Sequence, residues 1–229
     1  MNNIADNLRS VRERVEAAAV KAGRDPDEVK VVAVSKMHSA DALRRAIIAG
    51  CGMLGENKVQ EAEGKIAELG REAVEWHLIG HLQSNKARKA VQLFDVIHSV
   101  DSVEIAAKLE RICGETSRDS LRIFVQVDIA GEETKTGIAE NDLTMLSDFL
   151  QTCRHLKFEG LMIIPPYFAD PEATRPHFKR IREIRDNVIP GGELSMGMSH
   201  DFEVAIEEGA TIVRVGTAIF GEREYGAGR

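Results

Sequence analysis

Val29-Lys-Val-Val-Ala-Val-Ser-Lys36 is a β-branched run that ends on an amine. Successive side chains of a strand point to opposite faces, so Val32, Val34 and Lys36 share one side. Ser39 then offers a helix N-cap, and Leu43, Ala46 and Ile47 form one helical face with Arg44 and Arg45 off it. A strand followed at once by an amphipathic helix is the unit from which parallel sheets are built.

The same unit recurs along the chain. A weaker strand near Cys51 to Leu54 precedes a Glu/Lys-rich helix to about Leu69. Further strands are predicted at Trp76–Gly80, Val96–Val100, Arg122–Ile129, Phe158–Ile164 (stopped by Pro165 and Pro166), Glu193–Gly197 and Thr211–Gly216. Helices are expected from about Ser102 to Thr116 and from about Glu140 to Arg154. An extra amphipathic helix, roughly residues 3 to 22, precedes them all. Eight such units in 229 residues come close to the typical barrel length of about 250. The expected fold is α/β, a (β/α)8 TIM-type barrel with an added N-terminal helix, and residues 1–229 form a single domain with no linker or composition break.

Bulk composition narrows the function classes. A net charge of −7 argues against a broad nucleic-acid surface. Cys51, Cys113 and Cys153 are far apart and fit small buried hydrophobes in a reducing compartment. The N-terminus lacks the apolar core of a signal peptide, and no apolar run approaches the roughly 20 residues that span a bilayer. A cytoplasmic protein is expected, with no membrane and no nucleic-acid partner.

Barrel chemistry sits at the C-terminal ends of the strands. Lys36 ends the first; if its face points inward, low-dielectric walls favour the free amine that attacks an aldehyde. Gly55-Glu-Asn57 follows the second strand, His81 and Gln83-Ser-Asn-Lys86 the third, and Glu133-Thr-Lys135-Thr-Gly137 the fifth. Gly216 lets the backbone approach an anion closely, Thr217 adds an N–H and a hydroxyl, and Thr217 to Phe220 reads as a short helix bounded by Gly221. Ser199 either caps the preceding helix or bonds the same anion. Arg214 interrupts an apolar strand, and a buried guanidinium needs a partner, either a carboxylate in a barrel layer or a ligand.

Other motifs fail on context. Gly50-Cys-Gly52-Met-Leu-Gly55 spells a dinucleotide fingerprint but closes a helix and enters a strand, the reverse of what that site requires. His77 and His81 straddle a strand end, so helical zinc-ligand spacing does not apply, and no metal is expected. Lys86, Arg88 and Lys89 fit a solvated helix face, and Lys135 fits a surface lysine.

Val34-Ser-Lys36, Gly55-Glu-Asn57 with Val59-Gln-Glu61, Ile79-Gly-His-Leu-Gln-Ser-Asn-Lys86, Gly160-Leu-Met162, Leu194-Ser-Met-Gly-Met-Ser199 and Arg214-Val-Gly-Thr-Ala-Ile-Phe-Gly221 are a specific set. Together they resemble the pyridoxal-phosphate homeostasis protein family, the single-domain relative of the alanine racemase barrel. Lys58 departs from the resemblance, since the family more often has an aromatic residue there. The resemblance implies that Lys36 carries pyridoxal 5'-phosphate (PLP) as an aldimine and that Ser199, Gly216 and Thr217 hold its phosphate. It also implies that Arg214 faces the pyridine nitrogen and that Asn57 lies near the ring. It further implies a cytoplasmic monomer that binds and buffers the cofactor without an established reaction. The expected partners are PLP itself and PLP-dependent apo-enzymes that receive it.

Two features favour binding over catalysis. Arginine cannot protonate the pyridine nitrogen, which leaves the ring a weak electron sink. The chain ends at Arg229, soon after the last strand, whereas alanine racemases complete their site with a second, β-rich domain. The rival readings are a PLP-dependent amino-acid racemase using Lys36 as a base, and a cofactor-free Schiff-base aldolase.

Overall fold

The computed structural model describes residues 3–129 and 136–221. Its strands are β1 (Lys30–Val34), β2 (Met53–Glu56), β3 (Glu75–Leu78), β4 (Val96–Val100), β5 (Leu121–Asp128), the two-residue β6 (Ile138–Ala139), β7 (Leu156–Met162), β8 (Glu193–Met198) and β9 (Ile212–Val215). All pair in parallel. Two pairings, β1 with β9 and β4 with β5, turn the sheet into a closed eight-stranded barrel, and β6 is a short appendage on β5. Closure leaves no open edge among the eight, which removes the hazard of unpaired backbone groups.

Strand alternation separates two apolar layers. Val32, Val96, Phe124, Met162 and Ile212 form the inner cluster. Their neighbours, such as Ala33, Ile97, Ile123, Leu161 and Val213, belong to the larger outer core beneath the helices. Burial on both faces explains why the strands read as near-continuous apolar runs.

The covering helices are α1 (Ile4–Lys21), α2 (Ala40–Ile48), α3 (Val59–Leu69), α4 (Ala87–Leu93), α5 (Val103–Glu115), α6 (Leu143–Thr152), α7 (Arg175–Val188), α8 (Phe202–Glu207) and α9 (Thr217–Phe220). Ser39 and Ser102 cap α2 and α5 with their hydroxyls, as serine does at the first turn of a helix. The added helix α1 buries Ile4, Leu8, Val11, Val15 and Ala18 along one stripe and packs on α8 and α9. Asn7 Nδ2 donates to the Ile219 carbonyl at 2.9 Å, so α1 braces the last helix of the barrel.

Two strands lie two residues from their expected positions. β2 ends at Glu56 rather than Leu54, because a buried glutamate on its outer face breaks the apolar pattern. β7 starts at Leu156 rather than Phe158, since its ladder with β5 already pairs Leu156 and the polar Lys157. The predicted loop residues Glu133 and Lys135 lie outside the described residues.

Gly160 shows how tightly the ladder is closed. A Cβ there would stand 1.9 Å from the Glu193 carbonyl oxygen and 2.7 Å from its nitrogen, both backbone atoms that cannot swing away. Gly160→Ala is expected to push β7 from β8 and cost about 1–3 kcal/mol. A urea midpoint equal to the wild type would contradict this.

Candidate functional site

β1 stops at Val34, but the Ser35 N–H still donates to the Gly55 carbonyl at 2.9 Å. Ser35 turns its hydroxyl outward, to the Glu56 carboxylate at 2.5 Å, as alternation from Val34 expects. Lys36 and Met37 then form a tight turn, closed by His38 N–H to the Ser35 carbonyl at 3.1 Å. Met37 sits at φ 63°, a left-handed conformation unusual for a side chain of its size. Backbone strain of this kind collects where surrounding contacts hold it and where function needs it.

The closing pair of strands brings this turn beside the end of β9. A Cβ on Gly216 would lie 3.3 Å from Val34 Cβ and 3.4 Å from the Val34 oxygen, so the last strand's end rests against the first's. The His38 ring stacks on Phe220 of α9, with centroids 4.7 Å apart. The turn carrying Lys36 and the segment Gly216–Phe220 therefore form one corner of the barrel mouth.

Ser199, just past β8, completes that corner. Its Oγ accepts from the N–H of Gly216 at 3.1 Å and of Ala218 at 3.3 Å. These amides point at one oxygen, the arrangement by which a strand-to-helix turn holds an anion. Thr217, between them, is exposed. Asp201 Oδ1 accepts from the Met198 N–H at 2.7 Å and fixes the loop that carries Ser199. Asn57, beyond β2, is half-buried, and its backbone lies against Gly80.

Arg214 is buried, and its partners are neutral. Nη1 donates to Ser195 Oγ and Nη2 to the Ile163 carbonyl, both at 2.8 Å. The expected alternatives were a carboxylate or a ligand; the described contacts are a hydroxyl and a carbonyl. Burial lowers the guanidinium to about 10, and Asp201 works in the opposite direction. It still carries its charge at neutral pH.

The model of the alanine racemase N-terminal domain family matches residues 1–224. The pyridoxal phosphate homeostasis protein of Pseudomonas aeruginosa is 45% identical, over 99% of each chain. That of Aquifex aeolicus is 40% identical, over 97% of this chain and 100% of its own. The chain belongs to the pyridoxal phosphate homeostasis protein family. PipY of Synechococcus elongatus, solved with PLP bound, superposes with a TM-score of 0.83 at 41% identity, over 95% of this chain and 100% of that one.

Two acidic residues of the family motifs, Glu56 and Glu61, meet a buried lysine that the sequence did not single out. Lys65 Nζ donates to the Ser35 carbonyl, to Glu56 Oε1 and to Glu61 Oε1, each at 2.7 Å. Glu61 Oε1 also accepts from the Met37 N–H. The cluster grips the residue before Lys36 and the residue after it. Burial raises the Glu56 carboxyl above its usual range, with Lys65 and Ser35 acting against the shift. For Glu61 burial also works upward, but the Lys65 and Met37 hydrogen bonds prevail and lower it. Sequence spacing held a signal, since Glu61 and Lys65 are four apart on α3, but that pattern also describes ordinary surface pairs.

Proposed function

We propose that this protein holds PLP in the corner between β1 and β9, as a Schiff base on the Lys36 amine, and serves the intracellular homeostasis of PLP and amino acids. The observation that carries the proposal is the contact of Gly216 with Val34. It sets an amide pair already gathered around the Ser199 hydroxyl two residues from the lysine. An amine and an anion cradle that close together suit a small phosphorylated aldehyde. The relatives named for PLP homeostasis, and PipY with PLP bound, support the same cofactor.

Each residue then has a role. The N–H groups of Gly216, Thr217 and Ala218, with the Ser199 and Thr217 hydroxyls, bind the phosphate. Asn57 lies beside the ring. Arg214 faces the ring nitrogen and, being a donor only, holds it without giving it a proton. When bound, PLP supplies an electrophilic aldehyde and an electron-withdrawing ring. The protein restrains the second property, because its buried arginine leaves the ring a weak sink.

Binding without turnover is the proposed mode. Met37 and Tyr167, in the loops that follow β1 and β7, and Met198, at the end of β8, are exposed, so this side of the mouth meets water. A wet site allows the cofactor to exchange but shields a carbanion poorly. The proposal includes a cytoplasmic monomer with PLP-dependent apo-enzymes as recipients. No helix among the described residues is long and apolar enough to cross a membrane.

The test is an absorption spectrum of the purified protein, then borohydride reduction and mapping of the modified lysine. A visible band lost on reduction, with the adduct on Lys36, is expected; an adduct elsewhere refutes the assignment. Incubation with L-amino acids should yield no sustained racemisation or α-proton exchange, and turnover that vanishes in Lys36→Ala would instead make the protein a racemase. Ser199→Ala and Thr217→Ala should each weaken PLP binding by about 1–3 kcal/mol, the scale of a hydrogen bond to a charged group. Unchanged affinity in both variants would place the phosphate elsewhere.

A further inference from the structure

Beneath the site a polar chain crosses the barrel interior. At its lower end Arg122 Nη2 lies 2.6 Å from Glu75 Oε2. Glu75 Oε1 meets His77 Nε2 at 2.7 Å, and His77 Nδ1 meets His98 Nε2 at 2.8 Å. His98 Nδ1 meets Ser195 Oγ at 2.9 Å, and Ser195 Oγ accepts from Arg214. His77, His98, Ser195 and Arg214 are buried, and the His98 ring stacks on Phe124 with centroids 4.6 Å apart. Polar groups in such a core are tolerated when each is bonded, so these residues stand or fall together.

The chain has a direction. Hydrogen bonding from His77, followed by Arg122, keeps the Glu75 carboxyl at about 2 against the effect of burial, so it only accepts. Burial, then nearby positive charge that includes Arg214 and Arg122, holds His98 well below the usual imidazole range and therefore neutral. With a His77 proton on the nitrogen that faces the Glu75 carboxylate and its other nitrogen accepting, a single order satisfies every partner. His77 Nε2–H donates to Glu75, His98 Nε2–H donates to His77 Nδ1, and the Ser195 hydroxyl donates to His98 Nδ1. The serine oxygen is then left to face Arg214 as an acceptor.

We propose that Ser195, His98 and His77 are positioning residues for Arg214: the chain, anchored on the Glu75 carboxylate, holds the guanidinium where it meets the ring nitrogen of bound PLP. This rests on the assignment of Arg214 to that nitrogen. Asp201, the charge that acts on Arg214 from a distance, attracts the guanidinium, and the Ser195 and Ile163 oxygens fix its direction.

The test compares binding of PLP with binding of its 1-deaza analogue, in which a CH replaces the ring nitrogen. The wild type should prefer PLP by about tenfold, the scale of one charged hydrogen bond. His98→Phe and Ser195→Ala should erase most of that preference while leaving affinity for the analogue within about twofold, a change too small for one lost bond. In the protein without cofactor, ring nitrogen NMR should find His77 and His98 both protonated at Nε2. A wild type without preference would refute the Arg214 assignment and this inference with it. A full preference kept in both variants, an equal loss for both ligands, or His98 protonated at Nδ1 would refute the positioning chain alone.

Discussion

Lys36→Ala is expected to abolish covalent attachment of PLP, with no visible band and no borohydride adduct at position 36. The fold should survive, with stability within about 1 kcal/mol of the wild type, as for changes outside a packed core. The reason lies in what holds the turn. Its ladder bond runs from the Ser35 backbone, its closing bond from His38, and its outer anchors from Lys65 and Glu61. None of these uses the Lys36 side chain. PLP should still enter through the phosphate contacts, but reversibly, so dialysis should strip it from the variant and not from the wild type. A reducible band retained by Lys36→Ala would assign the amine to another lysine.

Lys65→Met is the second large effect. It leaves Glu56 at the base of the Lys36 turn with its cation gone and one oxygen, Oε2, already without a hydrogen-bond partner. Removing one member of a buried pair costs about 3–5 kcal/mol. The pH dependence follows from the direction of the Glu56 shift. Burial raises this carboxyl in the folded state even with Lys65 present, and loss of the lysine raises it further. A group raised on folding contributes its stability below its unfolded value and loses it as pH rises through the folded one. The variant's deficit should therefore be larger near pH 8 than near pH 5, where Glu56 can take up a proton. Urea midpoints at the two pH values measure this, and an equal deficit at both would show that Glu56 is not the group responsible. With Ser35 released, formation of the borohydride-trapped adduct on Lys36 should also slow.

The two variants divide the proposed site into the amine assigned to react and the cluster that presents it, and the sequence spoke mainly to the first. Lys36 was legible as a candidate because strand alternation extends from Val32 through Val34, and Ser35, the residue before it, points outward as that alternation expects. Thr217–Phe220 was visible as a helix because a glycine bounds it on each side. Lys65 was not, because a lysine four residues from a glutamate on a helix describes a solvated face far more often than a buried clamp. His77 was read only against His81, its neighbour along the chain. Its partner in the folded protein is His98, on the adjacent strand.

By itself the sequence determined the alternation of strands and helices and the glycine turn before the last helix. Each is set by periodicity or turn chemistry within a few residues. Only the tertiary structure decided that the first and last strands pair, that Ser199 gathers the amides of Gly216 and Ala218, and that Arg214 rests on a serine joined to two histidines. Those contacts join residues on separate elements, Ser195 and His98 being 97 positions apart. Their meeting depends on how the sheet closes and in what register, which no local pattern of side chains encodes.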